Sequence, residues 1–314
     1  MSNFSSNPDT FCRMETPKLN LLQRLRLESL WGGMRLFAVM PYWFKYRIAG
    51  SFLFFLLCYV LRYRSKVVRT NLCNSFPEKS ERELRTIRRR FYRTLAEIFV
   101  DTVDLAHCSR RKARRMLVIE GFEEHRERVL GRDWIAMLAH FGCWEYCSFW
   151  GLYEPTQKVV AVYHPLHDPV MECLYLRLRN SSYATTVAMK ECVRFYLRHR
   201  ETGFEGKHMG LGLIADQNPP RRPNSHWFSF LNQDTIFFDG GEKLALKFRL
   251  PVYFTRMERL GPGRYRMSFE MIYDGVEEVA ENEITERYVR HLEAMIRERP
   301  ELWMWSHRRW KHKR

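Results

Sequence analysis

The sequence predicts an α/β fold with a mixed, largely parallel sheet flanked by helices and an N-terminal membrane-associated helical region. Short β-like runs alternate with helical segments from about residue 116 onward, as is typical of parallel strands joined by crossover helices. Apolar residues make up 46% and aromatic residues 15% of the 314 residues, enough for a sizeable core. The most apolar stretch, 36–61, precedes the alternation, so we place it outside the sheet.

The first 75 residues divide into two predicted segments. Residues 1–20 begin with the polar run MSNFSSNPDT, which lacks a basic segment and indicates a flexible tail rather than a signal peptide. Residues 21–75 predict membrane-associated helices, because they contain the longest charge-free run, Ile48–Leu61. Fourteen helical residues span only about 21 Å, less than a hydrocarbon core of roughly 30 Å. A simple transmembrane helix is therefore not favoured.

Aromatic and basic residues flank this apolar run. They are Tyr42, Trp43, Phe44 and Tyr46 before the run, and Arg62, Arg64, Lys66 and Arg69 after it. An apolar helix with such flanks is typical of an interfacial anchor on an anionic membrane leaflet. A buried core helix is the alternative interpretation.

We assign residues 76–314 to the α/β domain. It begins with a helix over 78–106, whose apolar residues recur with a period near 3.6 after a capping Ser80. The β-like runs that follow are DWIAMLA, KVVAVYH, SYATTVA, GLGLIAD, PVYFTRM and RYRMSFEMI. Helices are predicted near 145–153, 168–180, 190–200 and 240–249. A last helix near 285–298 ends before Pro300 and precedes a basic aromatic tail.

Charge and cysteine usage narrow the partners and the compartment. The 52 Lys and Arg residues against 36 Asp and Glu give a formal charge of +16, which favours anionic partners. Eight cysteines without CxxC pairs indicate reduced thiols facing a cytoplasm. A nucleic-acid binder is an alternative because of the Arg-rich segments 85–93 and 110–115. No recognised nucleic-acid motif accompanies them, so we expect no nucleic-acid partner.

The run AHFGCWE carries the candidate chemistry. It places His140 at the end of a β-like run, where open α/β sheets bind ligands, and Glu145 at the beginning of a helix. In one helix this offset would separate the two side chains by about 140°, so they meet only if the chain turns between them. Gly142 permits that turn and lets the backbone approach a ligand. Glu145 is then expected to orient one imidazole nitrogen of His140, leaving the other nitrogen as a general base.

Two other interpretations of this run stay open. His140, Cys143 and Cys147 would be zinc ligands with His164 or His167, but their spacing matches no common zinc pattern. We therefore expect no metal ion and no cofactor. Alternatively, Cys143 would be a nucleophile activated by His140.

Two arginines in the run LYLRLRN are candidates for binding a thioester carbonyl or an acceptor phosphate. They are Arg177 and Arg179, and a guanidinium suits both roles. The alternative is a solvated helix face.

Five blocks occur in an order that resembles one family. They are KVVRTNLCNSFPEKSERE, HFGCWE, VYHPLHDP, ADQNPP and YVRHLEAMIRERPELWMWSHRRWK. From about residue 45 to its end the chain resembles the late acyltransferases of lipid A biosynthesis, within the glycerolipid acyltransferase group that shares H-x4-[DE]. The resemblance implies fatty acyl transfer from a thioester on acyl carrier protein or coenzyme A to a lipid hydroxyl, without a covalent acyl-enzyme.

The same resemblance implies further site residues and partners. Asp216 and Gln217 match the family's D-Q block and are expected to shape the donor or acceptor pocket. His164 stands where the family commonly has arginine, and histidine is positively charged only conditionally near neutral pH. We expect acyl carrier protein as donor and an anionic bacterial inner-membrane surface, at its cytoplasmic face. The expected acceptor is the 3-hydroxyacyl chain of a lipid A precursor, and an aminolipid or glycolipid is the alternative.

Overall fold

The computed structural model describes residues 17–180 and 183–314, which contain nine strands. These are β1 (Leu117–Ile119), β2 (Trp134–Leu138), β3 (Gln157–Tyr163), β4 (Ala184–Ala188), β5 (His208–Ile214), β6 (Phe228–Phe230), β7 (Gln233–Thr235), β8 (Val252–Gly261) and β9 (Arg264–Tyr273). Seven strands form one sheet in the order β1-β9-β8-β2-β5-β3-β4, and β6 pairs with β7 separately. Within the large sheet, β8 and β9 are antiparallel and the other neighbours are parallel. The predicted mixed, largely parallel sheet is confirmed.

Burial of the central strand explains why it reads as an unbroken apolar run. All five residues of β2, WIAML, are buried. Strands that lie in the middle of a parallel sheet are covered by helices on both faces, so neither face needs polar side chains. This arrangement brings the carboxyl ends of β2 and β5 to the same edge of the sheet.

Helices surround the sheet, and the first of them along the chain form a separate N-terminal layer. They are α1 (Leu21–Ala38), α2 (Gly50–Phe55), α3 (Ser65–Ser75), α4 (Glu81–Asp104), α5 (Arg110–Met116), α6 (Phe122–Val129), α7 (Trp150–Tyr153), α8 (Pro169–Asn180), α9 (Cys192–His199), α10 (Gly240–Phe248) and α11 (Glu283–Glu298). π-Helical segments at Phe44–Ala49 and Leu56–Val60 extend α2 into one helix, Phe44–Val60. The predicted cap of α4 is present, because Ser80 and Glu83 form a capping box.

The N-terminal layer consists of α1, the helix Phe44–Val60 and α3. It packs mainly on α4, and α1 also packs on α8. Buried Lys45 and Asp104 form an ion pair at 2.6 Å between the layer and α4. Among the described residues, no single helix is long and apolar enough to cross a membrane, and the helices Phe44–Val60 and Ser65–Ser75 reach that length and composition only when counted together, with a bend of 85° between them. The division into segments 21–75 and 76–314 stays a prediction, and most of the predicted flexible tail lies outside the described residues.

Candidate active site

Two neighbouring strands bring His140 and Asp216 together. Leu138 at the end of β2 lies opposite Ile214 at the end of β5, and the two site residues each follow two positions later. Asp216 is buried, and its Oδ1 lies 2.8 Å from Nδ1 of His140. Its Oδ2 accepts hydrogen bonds from the His140 backbone N–H at 3.1 Å and from Nε1 of Trp303 at 2.8 Å. The carboxylate therefore holds both the backbone and the ring of His140.

The charge state of Asp216 defines which imidazole nitrogen is basic. Burial acts to raise the pKa of Asp216, but the His140 charge and the hydrogen bonds from His140 and Trp303 hold that pKa below its ordinary value. An ionised carboxylate only accepts, so Nδ1 of His140 carries the proton. Nε2 then has a lone pair, which accepts a hydrogen bond from the side-chain amide nitrogen of Gln217 at 3.1 Å. His140 thus presents a base at Nε2, with its side chain 17% exposed.

Glu145 has a different partner from the one that the sequence predicts. Its carboxylate accepts from Nη2 of Arg179 at 2.7 Å and from Nε at 3.0 Å. The two side chains are only 9% and 19% exposed. After Gly142 the chain enters a 3₁₀ turn, Trp144–Phe149, and the planar guanidinium from α8 matches the carboxylate with two nitrogens. This corrects the predicted pairing, since Asp216 orients the imidazole of His140 and Arg179 holds Glu145.

Gly142 makes the turn between the two residues of the motif. Its φ of +57° lies in the left-handed region that favours glycine, and its N–H donates to the carbonyl of Leu302 at 2.9 Å. A Cβ at this position would lie 2.8 Å from Cε1 of Tyr265. The close approach that glycine permits is therefore to a buried tyrosine ring, whereas the sequence predicts an approach to a ligand.

Two other predicted site residues lie apart from the Asp216–His140 pair. Arg177 binds Glu28 of α1 with Nη1 at 2.8 and 2.9 Å from the two carboxylate oxygens, and its guanidinium lies 4.6 Å from the ring centroid of Trp31. His164 is exposed, and its Nδ1 lies 3.0 Å from the carbonyl of Pro165. Arg177 therefore fastens α1 to α8. A substrate role for either residue stays a prediction.

The carboxyl-terminal segment completes the site, which the sequence alone does not reveal. Besides Trp303, which binds Asp216, Met304 donates its backbone N–H to the carbonyl of His140 at 3.1 Å. A narrow crevice lies beside His140, and it is too tight to hold a water molecule. It is lined by Phe91, Thr94, Leu95, Ile98, His140, Glu301, Leu302, Trp303 and Met304. The repeated tryptophans of WMWSHRRW indicate a buried segment, but no local feature of the sequence shows that this segment contacts the edge of the sheet at His140.

The alternative interpretations of the motif gain no support from its geometry. Among the described residues, no group of three or more His, Cys, Asp or Glu side chains is arranged to hold a metal ion. Cys143 is fully buried, and burial raises the pKa of its thiol well above the ordinary value. A nucleophilic cysteine needs an accessible thiolate, so this environment disfavours covalent catalysis by Cys143.

The fold and the site define a class: an α/β protein with a histidine, held by a buried carboxylate, at the carboxyl edge of a largely parallel sheet. A sequence model of the bacterial lipid A biosynthesis acyltransferases matches residues 17–312. The chain belongs to this family, and the resemblance of its sequence blocks is confirmed. A search of the curated proteins finds no match. Family membership supports acyltransferase activity with an acyl donor and a lipid acceptor.

Proposed function

We propose that this protein transfers a fatty acyl chain from a thioester on acyl carrier protein to a hydroxyl of a membrane lipid. The preferred acceptor is the 3-hydroxyacyl chain of a lipid A precursor. The observation that carries the proposal is the contact between buried Asp216 and Nδ1 of His140, which leaves Nε2 as a base. The family match supplies the reaction class.

The proposed reaction needs one base and no acyl-enzyme. Nε2 of His140 removes the proton of the acceptor hydroxyl as that oxygen attacks the thioester carbonyl carbon. The tetrahedral intermediate collapses, the C–S bond breaks, and the thiolate of the carrier leaves and takes the proton from the imidazolium. Asp216 keeps the ring oriented and stabilises its positive charge between these steps. The amide of Gln217 occupies Nε2 in the absence of substrate and has to give way to the hydroxyl.

Glu145 and Arg179 hold the segment that follows the base. The bidentate pair is mostly buried and links the 3₁₀ turn Trp144–Phe149 to α8. We assign Glu145 a role in fixing the position of this segment, and therefore of the backbone around His140. This role replaces the direct contact between Glu145 and the imidazole as the reason that the motif contains a carboxylate.

We propose that the N-terminal layer rests on the cytoplasmic face of the inner membrane. Ile48, Phe52, Phe55 and Tyr59 recur at helical spacing and are each at least 50% exposed. A contiguous exposed apolar face of this kind is typical of a protein that binds a partner or a membrane. The basic residues that follow the helix Phe44–Val60, including exposed Lys66 and Arg69, suit anionic lipid headgroups.

Acyl carrier protein, which is acidic, would dock on exposed arginines of the α/β domain, and coenzyme A is the alternative donor. The docking surfaces are the basic sets Arg88–Arg90 on α4 and Arg110–Arg115 on α5, whose exposed members include Arg89, Arg90, Arg114 and Arg115. Salt shortens the Debye length from about 10 Å at 0.1 M to about 3 Å at 1 M, so KM for the carrier should rise several-fold. Charge reversal in either set should raise that KM and spare kcat. If KM for the carrier changes with neither salt nor charge reversal, the proposed docking of acyl carrier protein is wrong.

Lipid mass spectrometry tests the proposed reaction. Purified protein is incubated with acyl carrier protein loaded with a fatty acid and with a lipid A precursor. The expected product is a lipid heavier by one acyl chain, released again by mild alkali because the new bond is an ester. Product that forms only with an aminolipid or glycolipid supports the alternative acceptor. No acylated lipid with any of these acceptors would contradict the proposed function.

A further inference from the structure

A buried carboxyl joins three elements near the site. Asp101 lies on α4 and is fully buried. Its Oδ1 accepts a hydrogen bond from the hydroxyl of Tyr46, at 2.6 Å, and its Oδ2 accepts from the hydroxyl of Tyr265, at 2.9 Å. Tyr46 belongs to the helix Phe44–Val60 and Tyr265 to β9. One side chain therefore connects the N-terminal layer, α4 and the sheet.

Tyr265 supports the turn of the catalytic motif. Its ring is fully buried and lies so close to Gly142 that a Cβ there would be 2.8 Å from Cε1. The ring of Tyr146, beyond the turn, meets it edge-on at a centroid distance of 5.5 Å. The chain between His140 and Glu145 thus rests on a ring whose hydroxyl is fixed by Asp101.

The neighbouring cations bind other acids, so Asp101 is not simply one half of an ion pair. Lys45 binds Asp104 at 2.6 Å, and Arg93 binds Glu97 at 3.1 Å. Arg259 also binds Glu97. A buried carboxyl without a cation opposes folding, and a well-packed apolar side chain would often be more stable in such a place. The carboxyl contributes what an apolar side chain cannot, namely two acceptors that fix two hydroxyls.

We propose that Asp101 is a positioning residue for acyl transfer. By holding Tyr265 it fixes the turn at Gly142, and by holding Tyr46 it ties that turn to the N-terminal layer. The inference rests on the proposed function of His140 as the base.

The ionisation of Asp101 gives the inference a pH signature. Burial raises the pKa of Asp101 to about 7, although both tyrosine hydroxyls act to lower it and the charges of Glu97 and Asp104 raise it further. The charged or titratable groups that face it are Glu97 and Asp104 on α4, Tyr42, Lys45 and Tyr46 on the N-terminal layer, Arg259 and Tyr265 on the hairpin, and Cys143 and Tyr146 in the segment after His140. The ionised carboxylate accepts from both hydroxyls with a charged oxygen, whereas a protonated carboxyl carries a proton on one oxygen, so one of the two tyrosine contacts weakens or reverses its direction. Positioning, and with it kcat, should improve as pH rises through about 7.

Folding stability changes in the opposite direction with pH, which separates positioning from a purely structural role. A pKa raised in the folded state gives stability that is fully present below the unfolded value of 3.8 and is lost as pH rises through about 7. A purely structural role of Asp101 therefore predicts that the protein is most stable at low pH. A positioning role predicts that kcat rises as pH passes about 7 and that this rise is absent in Asp101→Asn.

The test compares two tyrosine-to-phenylalanine variants that each remove one buried hydroxyl bond. Tyr265→Phe removes the bond to Asp101, and the control Tyr92→Phe removes a bond from α4 to the carbonyl of Tyr63 at 2.7 Å. We expect Tyr265→Phe to lower kcat about tenfold with KM within about twofold, because a small misplacement of the base slows only the chemical step. Tyr92→Phe should keep kcat within about twofold of the wild type. Thermal unfolding of each variant checks that both are folded.

Three results would overturn the inference. They are a wild-type kcat in Tyr265→Phe, a loss of kcat in Tyr92→Phe equal to that in Tyr265→Phe, and an unchanged pH profile of kcat in Asp101→Asn. His140→Ala is measured alongside. If it is inactive while Tyr265→Phe is normal, only the inference fails, whereas an active His140→Ala overturns the proposed function on which the inference rests.

Discussion

The carboxyl edge of the sheet and the N-terminal layer differ in which side chains they bury and which they expose. At the sheet edge, polar groups are buried and bind each other, as Asp216 does with His140 and Arg179 does with Glu145. On the outer face of the N-terminal layer, large apolar groups are exposed, with Phe52 at 66% and Phe55 at 54%. The first region is completed by contacts within the chain. The second leaves large apolar side chains exposed, as is typical of a surface that binds a partner or a membrane.

Under the proposed function, this difference separates the region that carries out acyl transfer from the region that attaches to the membrane. Polar contacts inside a protein are directional and fix atoms in place, which a general base requires. Apolar burial is non-directional and depends on area, which suits attachment to a lipid surface. Substitutions at the sheet edge should therefore affect turnover, and substitutions on the outer face should affect attachment.

Asp216→Asn should have the largest effect on this contrast. The amide has one acceptor oxygen where Asp216 uses two, so it cannot accept from Nδ1 and also from the His140 backbone and Trp303, and it lacks the charge that stabilises the imidazolium; we expect kcat to fall about 10²–10⁴-fold. Vesicle binding should be unchanged, because Asp216 lies at the sheet edge. The measurement is steady-state acyl transfer beside vesicle sedimentation. A variant that keeps near-normal kcat would show that the buried carboxylate does not orient the base.

Arg179→Met should mainly lower folding stability. It leaves the mostly buried Glu145 without its bidentate partner, so the free energy of unfolding should fall by about 3 kcal/mol. Arg177→Met, two residues away on the same helix, is the matched control. Its pair with Glu28 is exposed, so the loss should be under about 1 kcal/mol. Chemical denaturation measures both, and equal losses would contradict the contrast between a buried and an exposed pair.

Phe52→Ser combined with Phe55→Ser should weaken attachment without weakening the fold. Each exposed ring that enters the interface contributes about 1–2 kcal/mol, so vesicle partition should fall at least about tenfold. Unfolding free energy should change little, because neither side chain is buried. Leu246→Ser is the control, since Leu246 is 42% exposed on α10 of the α/β domain. Equal partition of all three proteins would place the attachment surface elsewhere.

Substitution of His125 should have the smallest effect, and only on folding stability at acidic pH. Its ring is buried between aromatic side chains and stacks on Phe269 at 4.0 Å, and within the described part of the chain neither of its nitrogens has a hydrogen-bond partner. Burial lowers its pKa from 6.5 to about 3. The stability that a depressed pKa gives is present above pH 6.5 and is lost as pH falls towards 3. His125→Phe should therefore flatten the decline of unfolding free energy between pH 6.5 and pH 4, and parallel declines would contradict this assignment.

Much of the sheet edge could be predicted because its signals are local. The alternation of β-like and helical runs predicted β2, β3, β4, β5, β8 and β9 but not the three-residue strands β1, β6 and β7, and the end of β2 placed His140 at the edge. Gly142 predicted the turn, because few other residues adopt a positive φ. Ser80 predicted the beginning of α4 through its cap. Each of these depends on a few consecutive residues.

The pairings could not be predicted because they depend on strand order. Asp216 and Arg179 were both candidates from the sequence, but His140 lies 76 residues from Asp216, and Glu145 lies 34 residues from Arg179. Only the adjacency of β2 and β5 brings Asp216 to the imidazole. Trp303 reaches the same carboxylate from the carboxyl-terminal segment, which carried no local sign of that contact.

Single-turnover acyl transfer by His140→Ala tests the central claim most directly. The variant is mixed in excess with acyl carrier protein loaded with a fatty acid and with lipid acceptor, so that product release does not limit the rate. Removing a general base should slow the chemical step about 10²–10⁴-fold, while unfolding and vesicle partition stay at wild-type values. A rate close to that of the wild type would contradict the assignment of His140 as the base.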